Sequence, residues 1–177
     1  MKLLVVSDTH IEDLAVRNKI SARSVKDETT GELPEEILEA AEDADGIIHA
    51  GDFTGEEVPG LFKGIGPPLY AVRGNMDEPG VARALDDMLV FELEGVRIGI
   101  THGSGSPYGL DQRVRKMMPP GLDVIIFGHS HRPMLKDDDG LLLLNPGGTA
   151  GGHLSGQRSY GLLFIEAGGT RGELRYF

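Results

Sequence analysis

Four apolar runs in this chain each break off into an aspartate or a histidine. Leu3-Leu4-Val5-Val6 runs into Ser7-Asp8-Thr9-His10, and Ile47-Ile48 leads to Gly51-Asp52. Ile98-Gly99-Ile100 leads to Thr101-His102-Gly103, and Val124-Ile125-Ile126-Phe127 to Gly128-His129-Ser130-His131. Segments apolar throughout are what strands need when both faces of their sheet are covered. The residues just past such strands lie at the carboxyl edge of the sheet, where α/β proteins commonly place their ligands. An acid or imidazole at that edge has no packing reason to be there. The repeated pattern predicts a chain arranged to bring these ends together.

Length and charge narrow what such an edge can bind. A chain of 177 residues is long enough for one core and short for two, so residues 1–177 are expected to form a single domain. Acidic residues outnumber basic ones by 28 to 17, giving a formal charge of -11. That field repels phosphate polymers and argues against an extended nucleic-acid footprint. A small phosphorylated substrate stays open, because a local metal site can oppose the global field. The apolar run before Ser7 is only four residues long, too short for a signal-peptide core, and no run approaches the roughly 18 apolar residues of a membrane span. The absence of cysteine excludes disulfides and thiolate metal sites. Together these features predict a cytoplasmic protein with no membrane partner.

The remaining pattern supplies the connecting elements. Pro34 suits the first turn of a helix through Ile37, Leu38, Ala41 and Ala44. Leu69-Tyr70-Ala71-Val72 reads as a strand followed by Arg73-Gly74-Asn75-Met76-Asp77, which alone would be a plain Gly-Asn turn. Val81, Leu85, Met88 and Leu89 make a helical stripe with Met88 facing the core. Val90–Leu93 and Val96–Ile100 read as a hairpin about Glu94-Gly95, and Leu110, Val114, Met117 and Met118 as a helix stopped by Pro119-Pro120. Met134–Lys136 and Leu141–Leu144 read as a second hairpin turning near Asp139-Gly140, its three aspartates a solvated tip rather than a calcium site. Tyr160–Ile165 supplies a further strand. The charged segment 11–31 reads as a mobile loop or a lid, and a contributor to a homo-oligomeric interface. His49 lies inside its apolar run and reads as a core or hydrogen-bonded supporting group; His153, in a glycine-rich loop, is set aside as a ligand.

What remains is a set: Asp8, His10, Asp52, Asn75, His102, His129 and His131, all at or soon after strand ends, including four of the six histidines. Imidazole, carboxylate and amide oxygen without sulfur suit borderline to hard divalent ions such as Mn, Fe, Zn, Ni or Co. Seven donors exceed one ion's usual complement of protein ligands, and two ions sharing a carboxylate accommodate them.

In this order, Asp8-Thr9-His10, Gly51-Asp52, Gly74-Asn75-x-Asp77, His102-Gly103 and Gly128-His129-Ser130-His131 resemble the motifs of the calcineurin-like metallophosphoesterases. The small size and Asn145-Pro146-Gly147 are similar to the compact bacterial and archaeal phosphodiesterase branch. The resemblance implies an α+β architecture, the four-layer α/β/β/α sandwich of the metallo-dependent phosphatase-like fold. It implies two divalent ions, manganese first among them. Asp8, His10, Asp52 and His131 would hold one, and Asp52, Asn75, His102 and His129 the other, with Asp52 bridging. Asp52, Asn75, Asp77 and His102 would be the catalytic group, and the nucleophile a hydroxide bound to the metal pair. Two divalent ions outweigh two carboxylates, so the site would stay cationic and attract a phosphate oxyanion. One position departs from the family pattern: many members have His after the Gly-Asn pair, where it assists the leaving group, and this chain has Met76. Activity would then favour good leaving groups and diesters over alkyl monoesters. The competing readings are a non-catalytic scaffold similar to retromer-type subunits and a nuclease of the same superfamily.

Overall fold

In the computed structural model, which describes residues 1–11, 33–150 and 157–177, the apolar runs become the parallel centres of two five-stranded sheets. In the first, β1 (Lys2–Val6), β2 (Gly46–His49) and β3 (Leu69–Ala71) run parallel. β9 (Ser159–Glu166) joins β1 antiparallel, and β10 (Gly169–Tyr176) extends the sheet beyond it. In the second, β5 (Val96–Thr101), β6 (Val124–Phe127) and β8 (Leu141–Asn145) run parallel. β4 (Met88–Leu93) and β7 (Met134–Asp138) close its two edges antiparallel, through the two expected hairpins. Their turns fall at Glu94-Gly95 and Asp139-Gly140, all four residues at positive φ as a two-residue hairpin connection of the primed type requires.

Period-two alternation decides which layer each side chain joins. Leu3, Val5 and Ile48 of the first sheet meet Ile98, Ile100, Val124, Ile126, Leu142 and Leu144 of the second in one buried cluster between the sheets. The alternate residues Leu4, Val6, Ile47 and Leu162 face outward, against Ile37 and Ala41 of α1 (Glu35–Glu42), Val58 and Phe62 of α2 (Val58–Ile65) and Val81 of α3 (Pro79–Ala84). On the other side Ile125, Phe127 and Leu143 bury Leu110 and Val114 of α4 (Leu110–Met117). The result is helix, sheet, sheet, helix: the expected four-layer α+β sandwich. Each fully buried Ile or Leu contributes about 1.5–3 kcal/mol, so the facing inner rows dominate the stability that holds the strand ends in register.

Three local expectations are corrected. α3 stops at Ala84, and Met88 and Leu89 belong to β4, where they pair with Thr101 and Ile100. Their spacing matched a helix, but the hydrogen bonds that β5 offers override it. Met117 faces solvent at 51% exposure, and Met118 instead enters the α4 cluster. Pro34 stands immediately before α1 rather than in its first turn, where Glu35 and Glu36 complement the positive end of the helix. α2 and β10 are further elements that the pattern did not reveal. Of segment 11–31 only Ile11 is among the described residues: it is buried and bridges Thr54, while residues 12–32, and His153, lie outside them. No described helix is long and apolar enough to cross a membrane.

Candidate metal centre

The site begins with strained backbone. Asp8, His10, Asp52, His129 and His131 all have left-handed φ, between 46° and 67°. They make up most of the non-glycine residues at positive φ among those described. Each such residue costs of order 1–3 kcal/mol and persists only where its surroundings over-determine it. Here the surroundings are a backbone zipper between the loops after β1 and β2. Asp8 N–H donates to Gly51 O (3.0 Å), His10 N–H to Asp52 O (3.2 Å), Ile11 N–H to Phe53 O (3.1 Å) and Gly55 N–H to Ile11 O (2.9 Å). The loop after β8 is added above: Ala150 N–H donates to Asp8 O (3.2 Å), and the Asn145 side chain donates to Gly128 O (2.8 Å).

These turns aim carboxylates and imidazoles at common points. Asp8 Oδ2 accepts from Ser7 Oγ (2.6 Å) and from His129 N–H (3.1 Å), leaving Oδ1 directed inward. Around Oδ1 stand His131 Nε2 at 3.1 Å, His10 Nε2 at 3.9 Å and His102 Nε2 at 4.0 Å. Asp52 Oδ1 accepts from Met76 N–H (2.7 Å), and Oδ2 lies 3.2 Å from His102 Nε2 and 3.8 Å from His10 Nε2. Two groups therefore form, Asp8-His10-His131 and Asp8-Asp52-His102. Asp8 belongs to both, while Asp52 Oδ2 stands between the histidines of the two.

The inward-facing donor atoms are of the kinds that a divalent cation accepts. His102 Nδ1–H donates to Ala50 O (2.7 Å), and a carbonyl only accepts, so in the neutral ring Nε2 carries a lone pair. That lone pair faces carboxylate oxygens, and both His102 Nε2 and Asp8 Oδ1 are buried without a hydrogen-bond partner. Burial works to lower the His102 pKa, but Asp52 and Asp8 outweigh it and hold it above its ordinary value. Burial likewise works to raise Asp52, and His102 with the Met76 N–H hold its carboxyl below the usual range. The His10 pKa is lowered, chiefly by burial and despite Asp8 and Asp52, which favours the neutral ring.

His129 repeats the arrangement at the rim. Its Nε2–H donates to Gly105 O (2.7 Å), which leaves Nδ1 as an acceptor 2.8 Å from the Asn75 amide oxygen. Two acceptors at that distance repel unless a proton or a metal ion lies with them. Ion–ligand bonds of about 2.0–2.2 Å place neighbouring donors about 2.8–3.6 Å apart, a range that holds the His131–Asp8, His102–Asp52 and His129–Asn75 contacts. The carbonyls of Ala50 and Gly105 fix which ring nitrogen faces inward, the role that supporting hydrogen bonds play around bound metals.

Asp77, expected among the catalytic group, spends both oxygens on backbone: Thr54 N–H donates to Oδ1 (2.9 Å) and Gly74 N–H to Oδ2 (2.7 Å). It ties the Asp52 loop to the Asn75 loop, and burial raises its pKa against those donors. His49 is a supporting group as expected. Its Nδ1 accepts from Gly51 N–H (3.2 Å), its Nε2 meets Thr9 Oγ1 (3.2 Å), its ring stacks on Phe53, and burial drives its pKa far down. Sequence reasoning missed Ser7 and Thr54; Thr54 Oγ1 lies 3.4 Å from His10 Nδ1. Thr54 follows Asp52 at the same two-residue spacing that His10 follows Asp8, a signal that could have found it.

A family model, the calcineurin-like phosphoesterase superfamily domain, matches residues 1–168. The chain belongs to this superfamily. Within it, the chain is 34% identical over 148 residues to a probable metallophosphoesterase of Methanothermobacter thermautotrophicus, covering 83% of this chain and 76% of that one. It is 28% identical over 179 residues to a phosphodiesterase of Methanocaldococcus jannaschii, covering 94% of each. The calcineurin-like fold is shared with Vps29 of Entamoeba histolytica in complex with zinc, with a TM-score of 0.69, 22% identity and 99% of each chain covered.

Proposed function

We propose that this phosphoesterase-family chain is a metal-dependent phosphodiesterase, hydrolysing a small phosphate ester at a dinuclear centre. Asp8, His10, Asp52 and His131 would hold one ion, and Asp52, Asn75, His102 and His129 the other. Manganese is the first choice, with Fe, Zn, Ni and Co satisfying the same donors. The observation that carries the reading is the pair of buried, unpartnered donors Asp8 Oδ1 and His102 Nε2, 4.0 Å apart with Asp52 Oδ2 beside them. Divalent ions there would lower the pKa of bound water and neutralise charge building on phosphoryl oxygens.

The protein's own contribution is positional. Ser7 and the His129 N–H hold Asp8 Oδ2, the Met76 N–H holds Asp52 Oδ1, and the Ala50 and Gly105 carbonyls hold the rings of His102 and His129. A site whose donors are pinned this way does not reorganise as charge develops, which is where electrostatic catalysis gains most. The fit of the chain to the Methanocaldococcus phosphodiesterase over nearly its full length supports the diester reading. The alternative is a non-catalytic scaffold on the same fold; the likeness to Vps29, at 22% identity, bears on the fold alone and does not favour it. Against it stands the complete donor set, with its ring nitrogens oriented at the cost of five strained residues. The acidic surface disfavours a nuclease. Release of nitrophenolate from bis(p-nitrophenyl) phosphate on adding Mn²⁺ is the expected result; a metal-loaded protein with no release above blank would contradict it.

Met76 is 56% exposed beside Asn75 and offers no proton to a leaving group. General acids contribute about 10²–10⁴-fold where the leaving group needs a proton. Met76→His should therefore raise kcat on an alkyl phosphate ester at least about ten-fold while changing p-nitrophenyl ester turnover little. Equal effects on both substrates would remove the basis for this role.

A further inference from the structure

The loop 103–109, which follows His102, is held more firmly than its exposure requires. Arg113 on α4 donates to three of its carbonyls: Tyr108 O at 2.8 Å, Ser104 O at 3.2 Å, and Ser106 O. Gly105, between two of these, accepts the His129 Nε2–H at 2.7 Å. The loop is thus fixed at one end to a proposed metal ligand and at the other to a helix. What it presents outward is Tyr108, 71% exposed, with the Arg132 guanidinium carbon 4.7 Å from its ring centroid. Arg132 is the residue after His131.

A surface cation–π pair is ordinary by itself. This one differs in three respects. The loop carrying the ring touches His129, and the chain carrying the guanidinium has just supplied His131, so both reach the pair from the metal centre. In a protein with 28 acidic residues, Arg132 pairs among the described residues with Tyr108 and with no carboxylate. The guanidinium also hydrogen-bonds the Tyr108 side chain, and no carboxylate among the described residues neutralises its charge. Nothing buried depends on Tyr108, which packs in none of the core clusters, so stability gives no reason for so rigid a mount.

The geometry points to Tyr108 and Arg132 as a recognition site for the second arm of the diester, and to that arm as an aromatic or heteroaromatic group. Its ring stacks on the phenol while the guanidinium faces the anionic diester. This rests on the phosphodiesterase reading and names its substrate class.

Phosphonates test it without turnover, since their carbon–phosphorus bond places a group directly on phosphorus where a diester carries its arm. Calorimetric titration of the manganese-loaded protein should show phenylphosphonate binding about ten-fold tighter than methylphosphonate, the scale of one ring–ring stack. Tyr108→Ala should bring that ratio to about one, and Tyr108→Phe should keep it. Arg132→Gln should weaken phenylphosphonate binding at low salt more than at high salt. Because Tyr108 is exposed, the melting temperature of each variant shows that the fold is intact. A wild-type ratio near one, or a ratio unchanged in Tyr108→Ala, overturns the proposal while leaving the phosphodiesterase reading standing. Failure of both phosphonates to bind overturns the two together.

Discussion

Asp52→Asn should reduce kcat of the manganese-loaded protein on bis(p-nitrophenyl) phosphate by at least about 10³-fold, equivalent to about 4 kcal/mol in the barrier. The substitution keeps the shape of the side chain and the acceptor for the Met76 N–H at 2.7 Å, so the loop after β2 should stay folded. What it removes is the negative charge at Oδ2, the carboxylate oxygen that lies 3.2 Å from His102 Nε2 and 3.8 Å from His10 Nε2. If Asp52 bridges two ions, its loss weakens both at once, and metal content should fall with activity. The contrast is Asp77→Asn, where the lost charge faces backbone N–H groups, those of Thr54 and Gly74 among them, and the expected effect is smaller. Steady-state kinetics with elemental analysis on the two variants make the comparison. An Asp52→Asn protein within ten-fold of wild type would mean that Asp52 is a packing residue.

Gly74→Ala should be as damaging through geometry alone. A methyl group there would lie 2.3 Å from the Asp52 backbone nitrogen and 2.0 Å from Asp52 Oδ1. A side chain can rotate away, but the backbone nitrogen belongs to the loop zipped to Asp8 and His10 and has nowhere to go. Replacing Gly by Ala at an open position stabilises a protein by about 0.4–1 kcal/mol through the unfolded chain. Overpacking of this kind costs typically about 1–3 kcal/mol, occasionally more, so the clash decides the sign. Expected outcomes are a clearly lower denaturant midpoint with unchanged m-value and loss of manganese binding. Gly60→Ala, where nothing lies within 4 Å, serves as the matched control and should not lower the midpoint by a similar amount. Equal midpoints for the two variants would show that Asp52 and Gly74 are not in contact.

The strand-end logic was legible because buried parallel strands leave uninterrupted apolar runs, and a polar residue ending such a run has nowhere else to be. β1, β2, β5 and β6 stand out for that reason, and with them Asp8, Asp52, His102 and His131. The sandwich followed from the resemblance, and the inner and outer clusters give its physical basis. What stayed hidden was local or relational. α2 reads Val58-Pro59-Gly60-Leu61-Phe62-Lys63-Gly64-Ile65, whose proline and glycines mask a helix held mainly by Val58 and Phe62. β10 carries Thr170, Arg171, Glu173 and Arg175, charged because one side is edge and solvent, so it shows no apolar run. Met88 and Leu89 satisfied a helical spacing until β5 claimed them. The pairing of Asn75 with His129, and the choice of ring nitrogen by Ala50 and Gly105, depend on carbonyls that no side-chain pattern encodes.

The central claim is that the ends of strands from two sheets hold a pair of divalent ions in shared coordination. An anomalous difference map from crystals grown with manganese tests it most directly. The account predicts two peaks, one among Asp8, His10 and His131 and one beside His102, Asn75 and His129, with Asp52 reaching both. A map with no peak at Asp8 Oδ1 or His102 Nε2, from crystals that bind manganese elsewhere, would contradict it.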